Sequence, residues 1–275
     1  MHKSKYLKYK KKYLELKKEL KGGADANTYF DYNLIKNSSA TMSEHDIYNK
    51  IKQNNLNIIN ELNDKFKGCD RISIIGKGST AKYIKHGIGI NHGLIFTNKK
   101  YLFMNDFEAL FGLEEYIKDI DYIFFPDFPH IKEKSRENFN FISVVLYLNK
   151  YNFKGKIFIY QIHTTFCPII LDKYKFFSKT TTDIAITFFN KFLGIKYFEL
   201  YGCGLTKLYH KDLANLNFAK IREDPEYNQY YDNFIKIYFG NFNNSTTSYN
   251  QKIHNMLAKH FEELRKKLKI EINLN

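Results

Sequence analysis

The sequence predicts an α/β fold: a Rossmann-like, mostly parallel sheet with helices on both faces. Three observations carry that prediction. Short apolar runs of strand length recur through the second and third quarters of the chain. Helix-length amphipathic stretches separate several of them. The first run stops abruptly at Gly76-Lys77-Gly78-Ser79-Thr80, where a strand would hand over to a helix. Strand alternating with helix is the signature of parallel strands covered on both sides.

Residues 2–21 read as a basic helix. Tyr6, Tyr9, Tyr13, Leu16 and Leu20 alternate at spacings of three and four, a narrow seam of about two heptads. Such a seam suits either docking on the chain's own domain or anchoring to a partner. Gly22-Gly23 stops the helix, and the Asn/Ser/Ala-rich stretch to about Thr41 reads as a linker. The expected organisation is therefore a basic helix at 1–22, a linker at 23–44 and one domain at 45–275. Ser43 and Asp46 offer a cap for the next helix. Its apolar face is Ile47, Ile51, Ile58, Ile59, Leu62 and Phe66.

Strands are expected at Ile72–Ile75, Ile88–Ile90, Tyr101–Met104, Tyr122–Phe125, Lys156–Tyr160 and Tyr197–Tyr201. Helices are expected at Phe107–Ile117 and Asp183–Leu193. A last amphipathic helix is marked by Ile253, Leu257, Phe261, Leu264 and Leu268.

Composition narrows the function classes. The 275 residues hold 25 Phe, 22 Tyr and no Trp, enough apolar material for a large core. These aromatics offer stacking platforms for a base, but most are expected in the core. The formal charge is +14, yet half of the excess lies in residues 1–21, where nine lysines face only Glu15 and Glu19. The rest is diffuse, which argues against nucleic-acid binding as the main function and confines that alternative to the lysine-rich leader. Cys69, Cys167 and Cys203 are far apart and form neither a metal-binding spacing nor an even disulfide set. No metal site is expected. The cysteine usage fits a reducing compartment. With no apolar signal region and no membrane-length run, a cytoplasmic location without stable membrane insertion is expected.

The ligand edge of a doubly wound sheet lies beyond the carboxyl ends of its strands. Gly76 and Gly78 stand at such an end, where glycine admits close backbone approach and a helix start offers N–H groups to a phosphate. The stretch is neither a Walker A loop nor a complete GxGxxG, since Ala81 takes the sixth position. An ordinary strand–turn–helix corner is an equal reading of the turn by itself.

Three stretches together resemble a known family. "GKGSTAKYI" opens the pattern, "IGIN" ends on Asn91, and "TTTDIAITFFNKFLGIKYFELYGCGL" fills 180–205. In order and spacing they resemble the Cst-type bacterial sialyltransferases and the related motility-accessory-factor glycosyltransferase domains, over roughly residues 70–270. The family opens with Gly-Asn-Gly-Pro-Ser-Leu after a strand. It continues with a strand ending in an Asn that contacts the nucleotide sugar, then Thr-Ser-Gly at a helix start and a strand ending in Gly-x-Asp. The Lys/Tyr-rich leader lies outside this match and resembles leaders on proteins of giant DNA viruses.

The resemblance implies a modified GT-A-like, sialyltransferase-type fold. It implies metal-independent transfer of an acidic sugar from a CMP-activated donor to a glycan acceptor, with no cofactor beyond the nucleotide sugar. It assigns donor binding to Gly76, Gly78, Ser79, Thr80, Asn91, Lys179, Thr181, Thr182, Gly202 and Gly204. Tyr209 would contact the leaving phosphate, and His210 is the nearest imidazole to act as base. Lys77 and Lys179 could balance phosphate charge, or be solvated lysines of a lysine-rich chain.

The chain departs from the family in places. Lys77 replaces the turn's Asn, Asp183 a Gly, and Gly204 an Asp, while Lys179 stands for an Arg. The family also places a base His shortly before the C-terminal helix, where this chain reads Asn243-Asn244-Ser245-Thr246-Thr247. That absence keeps two rivals open: a domain that binds nucleotide or glycan without turnover, and a pyrophosphokinase-like or other nucleotide-dependent transferase. Asp106 and Asp127, at expected strand ends, read as sugar-hydroxyl ligands or as caps. His163 with Cys167 lacks an orienting third group. A homo-oligomer is compatible with the sequence.

Overall fold

The computed structural model describes residues 44–104, 107–126, 141–160, 180–203 and 247–275. Seven strands form one all-parallel sheet. They are β1 (Arg71–Ile75), β2 (Ile88–Ile90), β3 (Tyr101–Phe103), β4 (Tyr122–Pro126), β5 (Lys156–Tyr160), β6 (Tyr197–Tyr201) and β7 (Glu271–Leu274). Among the described residues four α-helices accompany them: α1 (Glu44–Lys65), α2 (Phe141–Lys150), α3 (Thr181–Leu193) and α4 (Thr247–Leu268). The order across the sheet is β5-β4-β3-β2-β1-β6-β7. The chain winds outward from β1 to β5, then returns to the other side of β1. The reversal puts a topological switch point between β1 and β6, where ligands of open α/β sheets settle. This is the Rossmann-like α/β architecture expected from the sequence.

The aromatic richness is spent largely on one face. Tyr101 stacks on Tyr122 with centroids 5.5 Å apart, and Phe103 stacks on Phe124 at 3.9 Å. Register explains the ladder, because each pair is directly opposed across β3 and β4. Phe158 of β5 extends it. Phe188 of α3 meets Phe103, Phe124 and Phe158 edge-on at 4.8–5.7 Å. Phe66, at the end of α1, closes against Phe189. Edge-to-face packing of quadrupolar rings makes this a specific core rather than a loose apolar layer. On the opposite face, Phe111 and Tyr147 of α2 pack 5.7 Å apart.

Helix α1 closes the outer edge of the sheet. Among the described residues no strand neighbours the outward backbone groups of Ile157 and Ile159 in β5. Asn54 Nδ2 donates to the Ile157 carbonyl at 2.9 Å. Asn55 grips Ile159 twice, donating to its carbonyl at 2.7 Å and accepting from its N–H at 3.2 Å. Asn55 is fully buried, so two side-chain amides stand where an eighth strand would be. Glu61 of α1 pairs with Lys156 and accepts from the Tyr122 hydroxyl. Burial pushes its carboxyl up, but these partners and Lys65 outweigh that and hold it below the usual range.

Several expectations need correction. The helix expected over Phe107–Ile117 is two 3-10 turns, Phe107–Leu110 and Ile117–Asp119. Gly112, at φ +80°, turns the chain between them. The stretch after Gly78 is a five-residue 3-10 turn, Ser79–Tyr83, not the start of an α-helix. Strand β7 and helix α2 were not among the expected elements. The basic helix and linker at 1–22 and 23–44 lie outside the described residues, apart from Glu44 at the start of α1.

Asn55→Ala leaves a buried N–H and a buried carbonyl of Ile159 without their partner. We expect chemical denaturation to show a loss of about 2 kcal/mol or more. A loss below about 0.5 kcal/mol, the scale of an ordinary surface substitution, would mean that the amide clamp contributes little.

Candidate functional site

The carboxyl ends of β1 and β6 meet backbone to backbone. Gly76 N–H donates to the Tyr201 carbonyl at 2.8 Å, and Gly78 N–H to the Gly202 carbonyl at 2.9 Å. A Cβ on Gly76 would collide with the Gly202 carbonyl, and one on Gly78 would lie 2.8 Å from Gly202 Cα. Gly202 itself sits at φ +63°, and a Cβ there would lie 2.7 Å from Gly78 N. The three glycines thus answer to one requirement, the contact of two chain turns. Two N–H groups expected for a phosphate are already engaged within the chain.

Thr80 completes the seam. Its hydroxyl accepts from Gly202 N–H at 2.7 Å and donates to the Asn275 carbonyl at 2.7 Å. The hydroxyl therefore joins the β1 turn, the β6 turn and the residue after β7. Ser79 is half-buried beside it.

Asn91 ends up on the adjoining turn. It follows β2 at φ +49°, and its carboxamide oxygen is buried with no hydrogen-bond partner. Gly93 fixes that turn against β1, since any Cβ there would strike the Ile75 and Gly76 carbonyls. His92, fully buried, donates from Nε2 to the Phe111 carbonyl at 2.8 Å. Burial, then the charge of Lys77, pushes its imidazole down to about 3, so it is a neutral structural tie and not a titrating base. Lys77 is half-buried, and desolvation lowers its ammonium to about 8.

Helix α3 brings its first turn to the same edge. Thr180 caps it, accepting from Asp183 N–H at 3.2 Å while Asp183 accepts from Thr180 N–H at 3.0 Å. This reciprocal box explains why Asp stands three residues after the cap. Thr181 and Thr182 are buried. Thr182 hydrogen-bonds to Cys203, which ties the helix start to the β6 turn. Burial pushes the Cys203 thiol up to about 12, which makes it a packed thiol rather than a nucleophile.

The buried Asp183 carboxylate holds a second partner. His260 of α4 donates from Nε2 to Asp183 Oδ2 at 2.7 Å, and its Nδ1 is buried with no hydrogen-bond partner. A carboxylate-bound Nε2–H leaves Nδ1 as the ring's acceptor. Helix α4 leads directly into parallel strand β7, so it runs against the strands. His260, 13 residues past the start of α4, meets the first turn of α3.

The sequence reading missed this pair. Asp183 appeared only as a departure from the family pattern, and His260 sat unremarked beside the apolar stripe of α4. Tyr209, His210, Lys179 and Gly204 lie outside the described residues, as do Asp106, Asp127, His163 and Cys167. Among the described residues no cluster of His, Cys, Asp and Glu is arranged to hold a metal, and no helix is long and apolar enough to cross a membrane.

Fold and site define a Rossmann-like α/β protein with a polar cluster at its switch point. No family model, curated protein or solved structure matches the chain.

Lys77 makes a pH test available. Its folded pKa lies below the ordinary 10.5, so between about pH 8 and 10.5 the unfolded chain holds more protons and the stability contribution rises with pH. Lys77→Met removes this term. Wild type should therefore gain stability relative to K77M across that window in urea titrations. The opposing loss from the Cys203 thiol is common to both proteins and cancels. A pH-independent difference would show that the ammonium is not desolvated.

Proposed function

We propose that the protein is a nucleotide-dependent glycosyltransferase of the sialyltransferase-like type, acting on a CMP-activated acidic sugar and a glycan acceptor. The observation that carries the reading is the Asp183–His260 pair at the start of α3. The resemblance places a base histidine shortly before the C-terminal helix, where this chain has none; His260 lies 13 residues past the start of that helix and would take the role from a different position. Its buried carboxylate partner fixes the ring and supports the positive charge that forms when Nδ1 takes a proton.

Thr181, Thr182 and Asn91 supply polar groups at the same edge for a ribose or phosphate. The acceptor oxygen would bond to the sugar's anomeric carbon as its proton passes to His260 and the sugar–phosphate bond breaks, and the nucleotide leaves as the phosphate anion. Tyr209 and His210, the residues first assigned these roles from the sequence, remain the competing assignment for phosphate contact and base.

A binding-only domain is the second reading, and one observation favours it. The N–H groups of Gly76 and Gly78, which a phosphate cradle would use, are bound to the β6 turn. A domain that keeps the switch point but closes its glycine turn would hold a nucleotide or glycan without turnover.

Single-turnover assays with a CMP-sugar donor separate these readings. His260→Ala should depress turnover by about 10²–10⁴-fold with CMP affinity nearly unchanged, the scale of losing a general base. His210→Ala should leave turnover near wild type. The reverse pattern would return the base to His210. CMP binding without any turnover by wild type would favour the binding-only domain.

A further inference from the structure

We propose that one face of the sheet is a glycan platform: the side of β1, β6 and β7 turned away from α3 seats a neutral oligosaccharide that runs along β6 to the switch point. Its role as an acceptor site rests on the glycosyltransferase reading above; the binding itself rests on the sheet.

Parallel strands of α/β folds are ordinarily covered on both faces and apolar on both. Register shows where this sheet departs from that. It puts Ile72, Ile74, Phe198 and Leu200 on the side of Phe103, where α3 packs, and all four are buried. The alternate positions of the same strands face the other way. They are Arg71, Ser73, Tyr197, Glu199 and Tyr201, with Asn273 beside Glu199 on β7. Arg71 and Asn273 are exposed, and the other four are half-buried. Helix α2, on this second side, belongs to the crossover between β4 and β5 at the far end of the sheet.

The row has the chemistry of a sugar-binding surface. A pyranose presents an apolar C–H face and a rim of hydroxyls. Tyr197 and Tyr201 stand four residues apart on one strand, about 13 Å along it, and offer two rings to such faces. Between them Glu199 accepts from Arg71 at 3.2 Å and from Ser73 at 3.4 Å. The Arg71 guanidinium also lies over the Tyr197 ring, 5.7 Å from its centroid. These contacts fix the polar groups between the rings. A carboxylate has lone pairs beyond those two bonds for hydroxyl donors, and the Asn273 amide both donates and accepts.

Charge selects among partners. Arg71 and Glu199 offset each other, and Glu271 adds one negative charge at the amino end. Such a face does not attract a polyanion, whether nucleic acid or an anionic membrane. An uncharged polyhydroxylated chain suits it. Position then joins it to the candidate site. Tyr201 ends β6, and its carbonyl accepts from Gly76 N–H at the seam of the two turns. A glycan lying along β6 therefore ends at the switch point.

The test measures binding of maltotriose, cellotriose and chitotriose to the full chain by calorimetry, for wild type, Y201S, Y201F and N273R. Wild type should bind at least one of the three. Y201S should lose at least about fivefold in affinity for it, the scale of truncating one aromatic anchor. Y201F keeps the ring and should lose less. N273R lays a long charged side chain over the face from an exposed position and should also lose at least about fivefold, which keeps the test decisive should Y201S not unfold cooperatively. In transfer assays Y201S and N273R should raise KM for the acceptor and leave kcat near wild type.

If wild type binds none of the three, or if Y201S and N273R bind as wild type does, the platform is overturned. If wild type transfers sugar from a CMP donor and neither change moves the acceptor KM, the platform falls while the glycosyltransferase reading stands. If binding runs through Tyr201 but neither CMP binding nor transfer is found, the platform stands and the glycosyltransferase reading falls.

Discussion

The contact of the β1 and β6 turns governs what this molecule can do. Two strands that are neighbours in the sheet but more than a hundred residues apart in sequence end in glycines, and those glycines touch through bare backbone. Their seam fixes the switch point. The hydroxyl of Thr80 extends it to the residue after β7, and the bond between Thr182 and Cys203 extends it to α3. The ends of β1, β6 and β7 and the start of α3 are therefore held on one frame. The same seam engages two N–H groups of the glycine turn within the chain.

Two departures from the sialyltransferase-like pattern noted in the sequence have structural surroundings of their own. Lys77 stands where the pattern has a neutral amide and brings a charge to a turn whose backbone is occupied. Asp183 stands where the pattern has glycine and serves two partners, its own helix cap and a histidine 77 residues later. A glycine there could do neither.

The fold was legible because its signals are local. Six of the seven strands stand where short apolar runs end at glycine or polar residues, and the register of a parallel sheet follows from such runs. Strand β7 escaped because "EINL" alternates with only one buried residue, Ile272, and follows a strongly amphipathic helix. The stretch 107–117 misled because its apolar spacing is helical, while Gly112 at positive φ breaks it into two 3-10 turns. The site was legible only in part. Gly76, Asn91 and Thr181–Thr182 sit at strand or helix ends, which sequence can mark. The partnership of Asp183 with His260 depends on how α4 crosses α3, and no spacing within the sequence encodes that crossing.

The asparagine clamp on β5 has a consequence for how the chain is made. Helix α1 leaves the ribosome roughly a hundred residues before the strand whose edge it will cover. As β5 emerges, the side chains that will satisfy its outward backbone have already been synthesised. The last strand of the outward-winding half therefore never waits, exposed, for a partner still to be synthesised. The other edge is handled in the same order, for Arg265 donates to the carbonyl of Ile272 seven residues downstream. Both rims of the sheet are closed by side chains translated before the strands they guard, which protects a slow-forming parallel sheet from pairing with its siblings on the same message.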